Sequence, residues 1–257
     1  MKTKIIAITN QKGGVCKTTT ATALAVGLRR RGFKTLLVDT DQQCNATDTF
    51  RAITEDVATL YDVMIADEPV ISTIQHMEEG DILPGDALLS EIEQRMTQQG
   101  REYRLKEALE PLDGMYDFII IDTPPGLGIM LTNALTAAHS CIIPITADRY
   151  GLQGLSQLDQ TIGRVRKYSN RDLEIDGLLF CKFKPNQLLS KSIMSSIDEV
   201  AEALDTKVFK TYIRESVATK MAQAEQMTIF EKDPRNNTAR DYDAFIDEYL
   251  GGEVANG

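Results

Sequence analysis

The chain contains no tryptophan and only two histidines, and its four cysteines, Cys16, Cys44, Cys141 and Cys181, are scattered without a Cys-x-x-Cys pair. That spacing argues against both a disulfide framework and a Cys-rich zinc site, so reduced thiols are the expectation. Also missing is any run of about 18 apolar residues, and the N-terminus enters a strand-like segment at once, without an apolar leader and cleavage site. A soluble, cytoplasmic protein is expected. Net positive charge is lacking too: 28 Lys and Arg stand against 38 Asp and Glu, a formal charge of −10. This argues against a protein that coats nucleic acid with its whole surface, and any contact with DNA would have to come from a local basic patch.

What is present is enough apolar material, 42% of 257 residues, to bury a sizeable core. The expected organisation is one domain over residues 1–250 with a flexible tail at 251–257. Apolar runs rich in Ile, Leu and Val recur at Lys4–Thr9, Thr35–Asp39, Phe118–Asp122, Ser140–Ile145 and Ile175–Phe180. Helical patterns fall at Thr18–Arg31, Leu88–Gln98, Glu102–Leu109, Ile129–Ala138, Leu152–Tyr168, Lys191–Leu204, Ser216–Gln226 and Asp241–Leu250. The alternation predicts an α/β fold, a mostly parallel twisted sheet with helices on both faces. The short piece Asp81–Leu83 ends at Pro84-Gly85, as a strand running into a turn would.

The first strand runs into Asn10-Gln11-Lys12-Gly13-Gly14-Val15-Cys16-Lys17-Thr18-Thr19, which then opens an amphipathic helix. Small residues at such a place let backbone N–H groups curl around phosphate oxygens, while the helix N-terminus adds positive potential. The fold is therefore P-loop NTPase-like. Residues Lys12, Gly13, Gly14, Val15, Cys16, Lys17, Thr18 and Thr19 are the expected nucleotide site, with Lys17 on the β- and γ-phosphates of ATP and the Thr18 hydroxyl on Mg²⁺. Gln11 and Cys16 stand where the ordinary G-x-x-x-x-G-K-[ST] pattern has glycine. A positive φ at Cys16 would cost about 1–2 kcal/mol. Between a redox-sensing thiol and an unreactive small residue tolerated by the loop, the second is the expectation.

The second strand ends in Asp39-Thr40-Asp41 and the third in Asp122-Thr123-Pro124-Pro125-Gly126. Ligands of open α/β sheets bind at such carboxyl ends. Asp39 and Asp122 are expected to join Thr18 in the metal's surroundings, partly through water. Asp41 is expected to position the attacking water, because an ordinary aspartate is a poor general base for water.

These residues resemble the ParA/Soj-type partition ATPases, within the deviant Walker A group that includes MinD and the nitrogenase iron protein. Lys12-Gly13-Gly14 matches the diagnostic second lysine of that loop, and Asp39–Thr47 resembles the family's D-x-D-P-Q-G-N-A-[ST], with Gln42 in place of Pro and Cys44 in place of Gly. Leu83-Pro84-Gly85, Tyr116–Gly126, Asn133-Ala134-Leu135 and Ile213–Val217 also look like family segments, and the likeness covers nearly the whole chain. The resemblance implies weak ATPase activity and an ATP-bound sandwich homodimer in which Lys12 reaches the partner's phosphates. It also implies nonspecific DNA binding, nucleoid association and stimulation of hydrolysis by a ParB-type centromere-binding partner, in the service of plasmid or chromosome segregation. Lys12, Lys17 and Asp41 would be the catalytic residues. Because the sequence begins directly at the first strand, no helix-turn-helix extension is expected.

DNA attachment would use phosphate-directed cations. Lys182, Lys184, Lys191, Lys207, Lys210, Arg214 and Lys220 form a basic-enriched region, from which Lys182, Lys184, Lys191, Arg214 and Lys220 are the candidates. Arg29-Arg30-Arg31 is assigned to structure, at the end of the first helix. A MinD-like membrane-associated ATPase is one alternative, but the last helical segment carries Asp241, Asp243, Asp247 and Glu248, which anionic lipid would repel, so no membrane partner is expected. An iron-protein-like enzyme with bridging cysteines is another, set against the apolar surroundings of Cys141 and Cys181. A hydrolysis-poor regulatory homologue is the third, given Cys16, Gln42 and Cys44.

Overall fold

The structure, a computed structural model, describes residues 2–146, 149–183 and 197–254. Its strands are β1 (Lys4–Ile8), β2 (Thr35–Asp39), β3 (Gln75–Met77), β4 (Gly80–Leu83), β5 (Phe118–Asp122), β6 (Ser140–Thr146), β7 (Glu174–Phe183) and β8 (Val208–Arg214). They form one sheet in the order β3-β4-β2-β5-β1-β6-β7-β8, parallel throughout except for the antiparallel β3–β4 pair at one edge. The mostly parallel sheet expected from the apolar runs is thus present.

The helices are α1 (Lys17–Arg30), α2 (Asn45–Thr49), α3 (Leu60–Ile65), α4 (Val70–Thr73), α5 (Ile92–Arg95), α6 (Arg104–Leu109), α7 (Ile129–Ala137), α8 (Arg149–Tyr168), α9 (residues 197–203), α10 (Val217–Ala224), α11 (Ile229–Lys232) and α12 (Asn237–Val254). Strand alternation divides the core between two faces. Ala7, Leu36, Val38, Ile119, Ile121 and Leu178 pack on the side of α3, α6, α7 and α8. Ile6, Ile8, Leu37, Ile120, Leu179 and Cys181 pack on the side of α1 and α12. With both faces covered, these strands need continuous apolar runs, and this explains why they were easy to find in the sequence.

Several boundaries differ from the sequence reading. Leu88–Gln98 is divided into a 3₁₀ turn at Ala87–Glu91 and the single turn α5, and α12 begins at Asn237 and continues to Val254. Of the expected helix Lys191–Leu204, residues 191–196 lie outside the described residues. Strand β8 had no counterpart in the sequence reading. It is an edge strand in which buried Phe209 and Ile213 alternate with polar neighbours, so it lacks the continuous apolar run of a central strand.

α1 is fixed on two sides, against β1, β2 and β5 and against α12. Arg31 just past its end donates from Nε and Nη2 to Asp247 Oδ1 at 2.8 and 2.6 Å, and from Nη2 to the Asp243 carbonyl at 3.0 Å. Gly27 makes the close approach possible: a Cβ there would lie 2.1 Å from Ile246 Cδ1. Gly27→Val is therefore expected to lower the unfolding free energy by about 1–3 kcal/mol through overpacking, with partial rescue by Ile246→Ala. Urea unfolding of the single and double variants checks this, and an undiminished midpoint for Gly27→Val contradicts it.

Candidate functional site

β1 lies between β5 and β6, and the connections β1–α1–β2 and β5–α7–β6 run to opposite sides of the sheet. A crevice opens at the strands' carboxyl ends, and α1 begins there. Cys16 is its N-cap, in the left-handed conformation at φ 71° and with no capping side-chain bond, and the first turn holds no acidic side chain. The leading N–H groups of α1 are thus left for an external acceptor. Gly14 is also left-handed, at φ 74°. The loop is held from outside: Lys12 N donates to Asn10 Oδ1 at 2.9 Å, Asn10 Nδ2 to the Pro144 carbonyl at 2.8 Å, and Lys182 Nζ to the Gly14 carbonyl at 2.7 Å. Gln11 bonds to Gln157 of α8.

Lys17 is buried, its ammonium 3.3 Å from the Lys12 carbonyl. Burial pulls its pKa down, while Asp122 and Asp41 push it up. Asp39 and Asp122 are register partners on β2 and β5, and both are fully buried. Asp39 Oδ2 accepts from the Thr47 amide and hydroxyl, each at 2.8 Å, and its Oδ1 from Asp41 N at 3.1 Å. Gly85 N donates to the same Thr47 hydroxyl at 2.8 Å. A Cβ on Gly85 would meet the Asp39 carbonyl oxygen at 3.0 Å, so this glycine is required by close approach. Burial raises the Asp39 pKa to about 6, against these bonds. Asp41, less buried, is also raised by burial, with the Gln43 amide and Lys17 opposing.

Asp122 is different, because neither carboxylate oxygen has a hydrogen-bond partner. Burial raises its pKa well above the ordinary range, and the Asp39 charge adds to the rise; the nearby Thr18 hydroxyl favours the ionised form without closing a bond of ordinary geometry. Two orphaned, buried carboxylate oxygens beside Thr18 are what a hard cation would satisfy. No group of three or more His, Cys, Asp or Glu side chains forms a metal cage among the described residues. A magnesium ion here would have to take its remaining oxygens from phosphate and water.

The sequence-predicted residues Lys17, Thr18, Thr19, Asp41, Gly13, Gly14 and Cys16 line one cavity of about 590 Å³. It extends past the loop to Arg214, Ser216, Thr219, Gln223 and Tyr242. Gln223 Nε2 donates to Thr19 Oγ1 at 3.1 Å, and the Thr20 hydroxyl lies 3.0 Å from the Tyr242 hydroxyl. Ser216, Thr219, Thr20, Gln223 and Tyr242, with Thr47 and Gly85, have no role in the sequence reading. Of the cations expected on a DNA face, Lys182, Arg214 and Lys220 all line this same cavity: Lys182 turns to the loop, Arg214 forms a paired bond to Asp241 at 2.8 and 2.5 Å, and Lys220 is exposed, 3.9 Å from Glu215. Lys184 and Lys191 lie outside the described residues.

A strand, a glycine-bearing loop and an open helix N-terminus around a buried lysine, with an aspartate at the end of the adjacent strand, define a P-loop NTPase. Residues 3–175 match the family described as AAA domain, and the chain is 41% identical over 243 residues to the sporulation initiation inhibitor protein Soj of Bacillus subtilis, covering 93% of this chain and 95% of that one. The chain belongs to the Soj/ParA family of partition ATPases. The chromosome partitioning protein ParA of Myxococcus xanthus is 38% identical over 218 residues, 83% of this chain and 76% of its own length. Among solved structures, the cobyrinic acid a,c-diamide synthase of Mycobacterium smegmatis with bound ADP and magnesium matches with a TM-score of 0.85 at 29% identity, covering 99% of this chain and 97% of that one. A plasmid partition protein of Borrelia burgdorferi bound to AMPPNP matches with a TM-score of 0.82 at 25% identity, covering 98% of this chain and 100% of that one.

The buried acids make a pH prediction. Both Asp39 and Asp122 bind protons more tightly in the folded chain than when unfolded, so ligand-free stability falls as pH rises from about 4, through about 6 for Asp39. Asp122→Asn removes one orphaned charge and is expected to raise ligand-free stability at neutral pH by about 1–3 kcal/mol and to flatten that fall. Urea unfolding at a series of pH values measures it. A variant less stable than wild type at neutral pH would show that the carboxylate is not held at a cost.

Proposed function

We propose that this chain is an ATP-driven molecular switch for DNA partition. In this reading ATP binding builds a sandwich homodimer that holds DNA without sequence preference, and a ParB-type partner stimulates a slow hydrolysis that releases it. The observation that carries the nucleotide half is the buried trio Lys17, Asp41 and Asp122 at the open N-terminus of α1. The partition half is supported by the 41% identity to Soj over nearly the full length of both chains.

Each residue has a role consistent with its position. The N–H groups at the start of α1 and the Lys17 ammonium bind the phosphates, and burial of Lys17 strengthens that attraction by excluding water. Thr18 and Asp122 would hold magnesium, which supplies neutralisation of phosphate charge during transfer. Asp39, with its oxygens committed to Thr47 and Asp41, positions the switch segment that carries Asp41. Asp41 orients the attacking water from the cleft wall. Lys12 is assigned to the phosphates of the partner subunit.

Against the membrane alternative, Tyr242, Phe245, Ile246 and Tyr249 of α12 are buried against the core and are not available to lipid. No helix among the described residues is long and apolar enough to cross a membrane.

The test is retention of nonspecific duplex DNA with ATP, ADP or no nucleotide across a salt series. Retention is expected with ATP alone, to fall steeply with salt, and to be lost in Lys17→Ala. Asp41→Ala is expected to keep ATP-dependent retention while losing at least about a hundredfold in partner-stimulated turnover. Binding of ATP without any retention of DNA would end the partition reading.

A further inference from the structure

We propose that Cys16 and Cys181 form a peroxide-oxidisable thiol pair beneath the phosphate-binding loop, and that their disulfide switches nucleotide binding off. The inference rests on the reading of this loop as the nucleotide site, and no other part of the proposed function is needed for it.

Strand alternation sets the geometry. In β7, Leu178 and Phe180 face the α7–α8 side, while Leu179 and Cys181 face α1. Cys181 is fully buried, with its sulfur 4.0 Å from the Thr20 hydroxyl. Thr20 lies one helical turn beyond Cys16 on the same face of α1, and its amide donates to the Cys16 carbonyl at 2.8 Å. Cys16 packs against the same apolar cluster that holds Cys181. The next residue of β7, Lys182, is left-handed at φ 53° in an irregular stretch of the β7–β8 pairing and reaches the Gly14 carbonyl at 2.7 Å. Strand end and loop are therefore already tied together. The other two cysteines are placed elsewhere: Cys141 is buried on the opposite face of the sheet, and Cys44 caps α2.

The pair is asymmetric in access. Cys16 is part-exposed and lines the phosphate cleft, whereas Cys181 is sealed beneath it. A hydroperoxide entering the cleft meets Cys16 first. The Cys16 thiolate attacks one peroxide oxygen, the O–O bond breaks, and the products are a sulfenic acid and, for hydrogen peroxide, hydroxide, which takes up the proton released by the Cys16 thiol as the first water. The Cys181 sulfur then attacks the sulfenic sulfur and expels hydroxide, which takes up the Cys181 proton as the second water. Two thiols have lost two electrons, and the peroxide has gained them.

The consequence follows from where Cys16 sits. A disulfide requires the sulfurs to close from non-bonded contact to about 2 Å. Cys181 is fully buried near the end of β7 and is paired with Thr146 of β6 and Ile213 of β8, so the loop residue has to move. Cys16 is the left-handed N-cap immediately before Lys17, and drawing it down toward β7 turns the leading N–H groups of α1 and the lysine away from their phosphate-binding arrangement. Bound nucleotide conversely covers Cys16 and protects it.

The experiment treats the fully reduced, full-length protein with hydrogen peroxide, with and without saturating Mg-ATP. The remaining thiols are then blocked, and the peptides are mapped under non-reducing conditions. Expected are a Cys16–Cys181 disulfide, loss of two of the four thiols, slower loss with Mg-ATP, and a fall in affinity for a fluorescent ATP analogue of at least about tenfold, reversed by a thiol reductant. Cys181→Ala, with Cys181→Ser as a second variant, is expected to bind nucleotide as wild type when reduced and to stop at a Cys16 sulfenic acid that dimedone traps. Oxidised wild-type protein without this disulfide, or with it and unchanged affinity, would overturn the inference. Reduced protein that binds no nucleotide would overturn the reading of the site instead, while the peptide map still judges the thiol pair.

Discussion

The carboxyl edge of the sheet is organised around one buried charge problem: a single ammonium, Lys17, is enclosed with the carboxylates of Asp39, Asp41 and Asp122. Burial raises the pKa of all three acids, the local response to charge that solvent cannot stabilise. The protein satisfies part of this internally. Thr47 and the Asp41 amide bond Asp39, and Gly85 leaves empty the place where a Cβ would lie 3.0 Å from the Asp39 carbonyl oxygen. For Asp122 it closes no hydrogen bond on either oxygen. A fold that leaves one carboxylate orphaned at the foot of an open helix N-terminus is stabilised by the ligand that completes the site, and binding energy and folding energy are then shared.

The same logic explains what could be read from the sequence. The loop from Lys12 to Thr19 and the strand-end acids are local patterns, in which a run of Ile, Leu or Val ends at a polar residue whose side chain has no place inside a sheet. The contacts that support them are not local. Thr47 lies eight residues from Asp39 and Gly85 a further 38 residues along, while Lys182 meets Gly14 across 168 residues and Tyr242 meets Thr20 across 222. No pattern in a single chain marks these pairs. The basic region between Lys182 and Lys220 is legible as composition, while the contacts of its members, Arg214 with Asp241 and Lys182 with the loop, are not. The departures from glycine are legible and have a cost: Cys16 is left-handed, as is Cys44, and in the family's pattern both positions belong to glycine. At each of them the chain accepts about 1–2 kcal/mol of backbone strain.

The cleft reaches beyond the phosphate loop, and this decides which part of the molecule can respond to a ligand. Thr19 in the first turn of α1 is bonded to Gln223 of α10, and Thr20 to Tyr242 of α12, so the start of α1 is in contact with two of the three helices that follow β8. The elements differ in how firmly they are held. α1 buries ten of its fourteen residues, and α12 buries Tyr242, Phe245, Ile246 and Tyr249 against it. In α10 only Ala222 is buried, while Val217 is 73% and Met221 47% exposed. Rearranging α1 or α12 would sacrifice buried apolar area at about 25 cal/mol per Å², whereas shifting α10 sacrifices almost none. The low cost of local rearrangement therefore lies in α10. A phosphate that competes for the Thr19 hydroxyl acts on a fixed helix at one end of the Thr19–Gln223 bond and on a compliant one at the other. Yielding at α10 sacrifices less buried area than yielding at α1, so the compliant end of that bond is the one in α10.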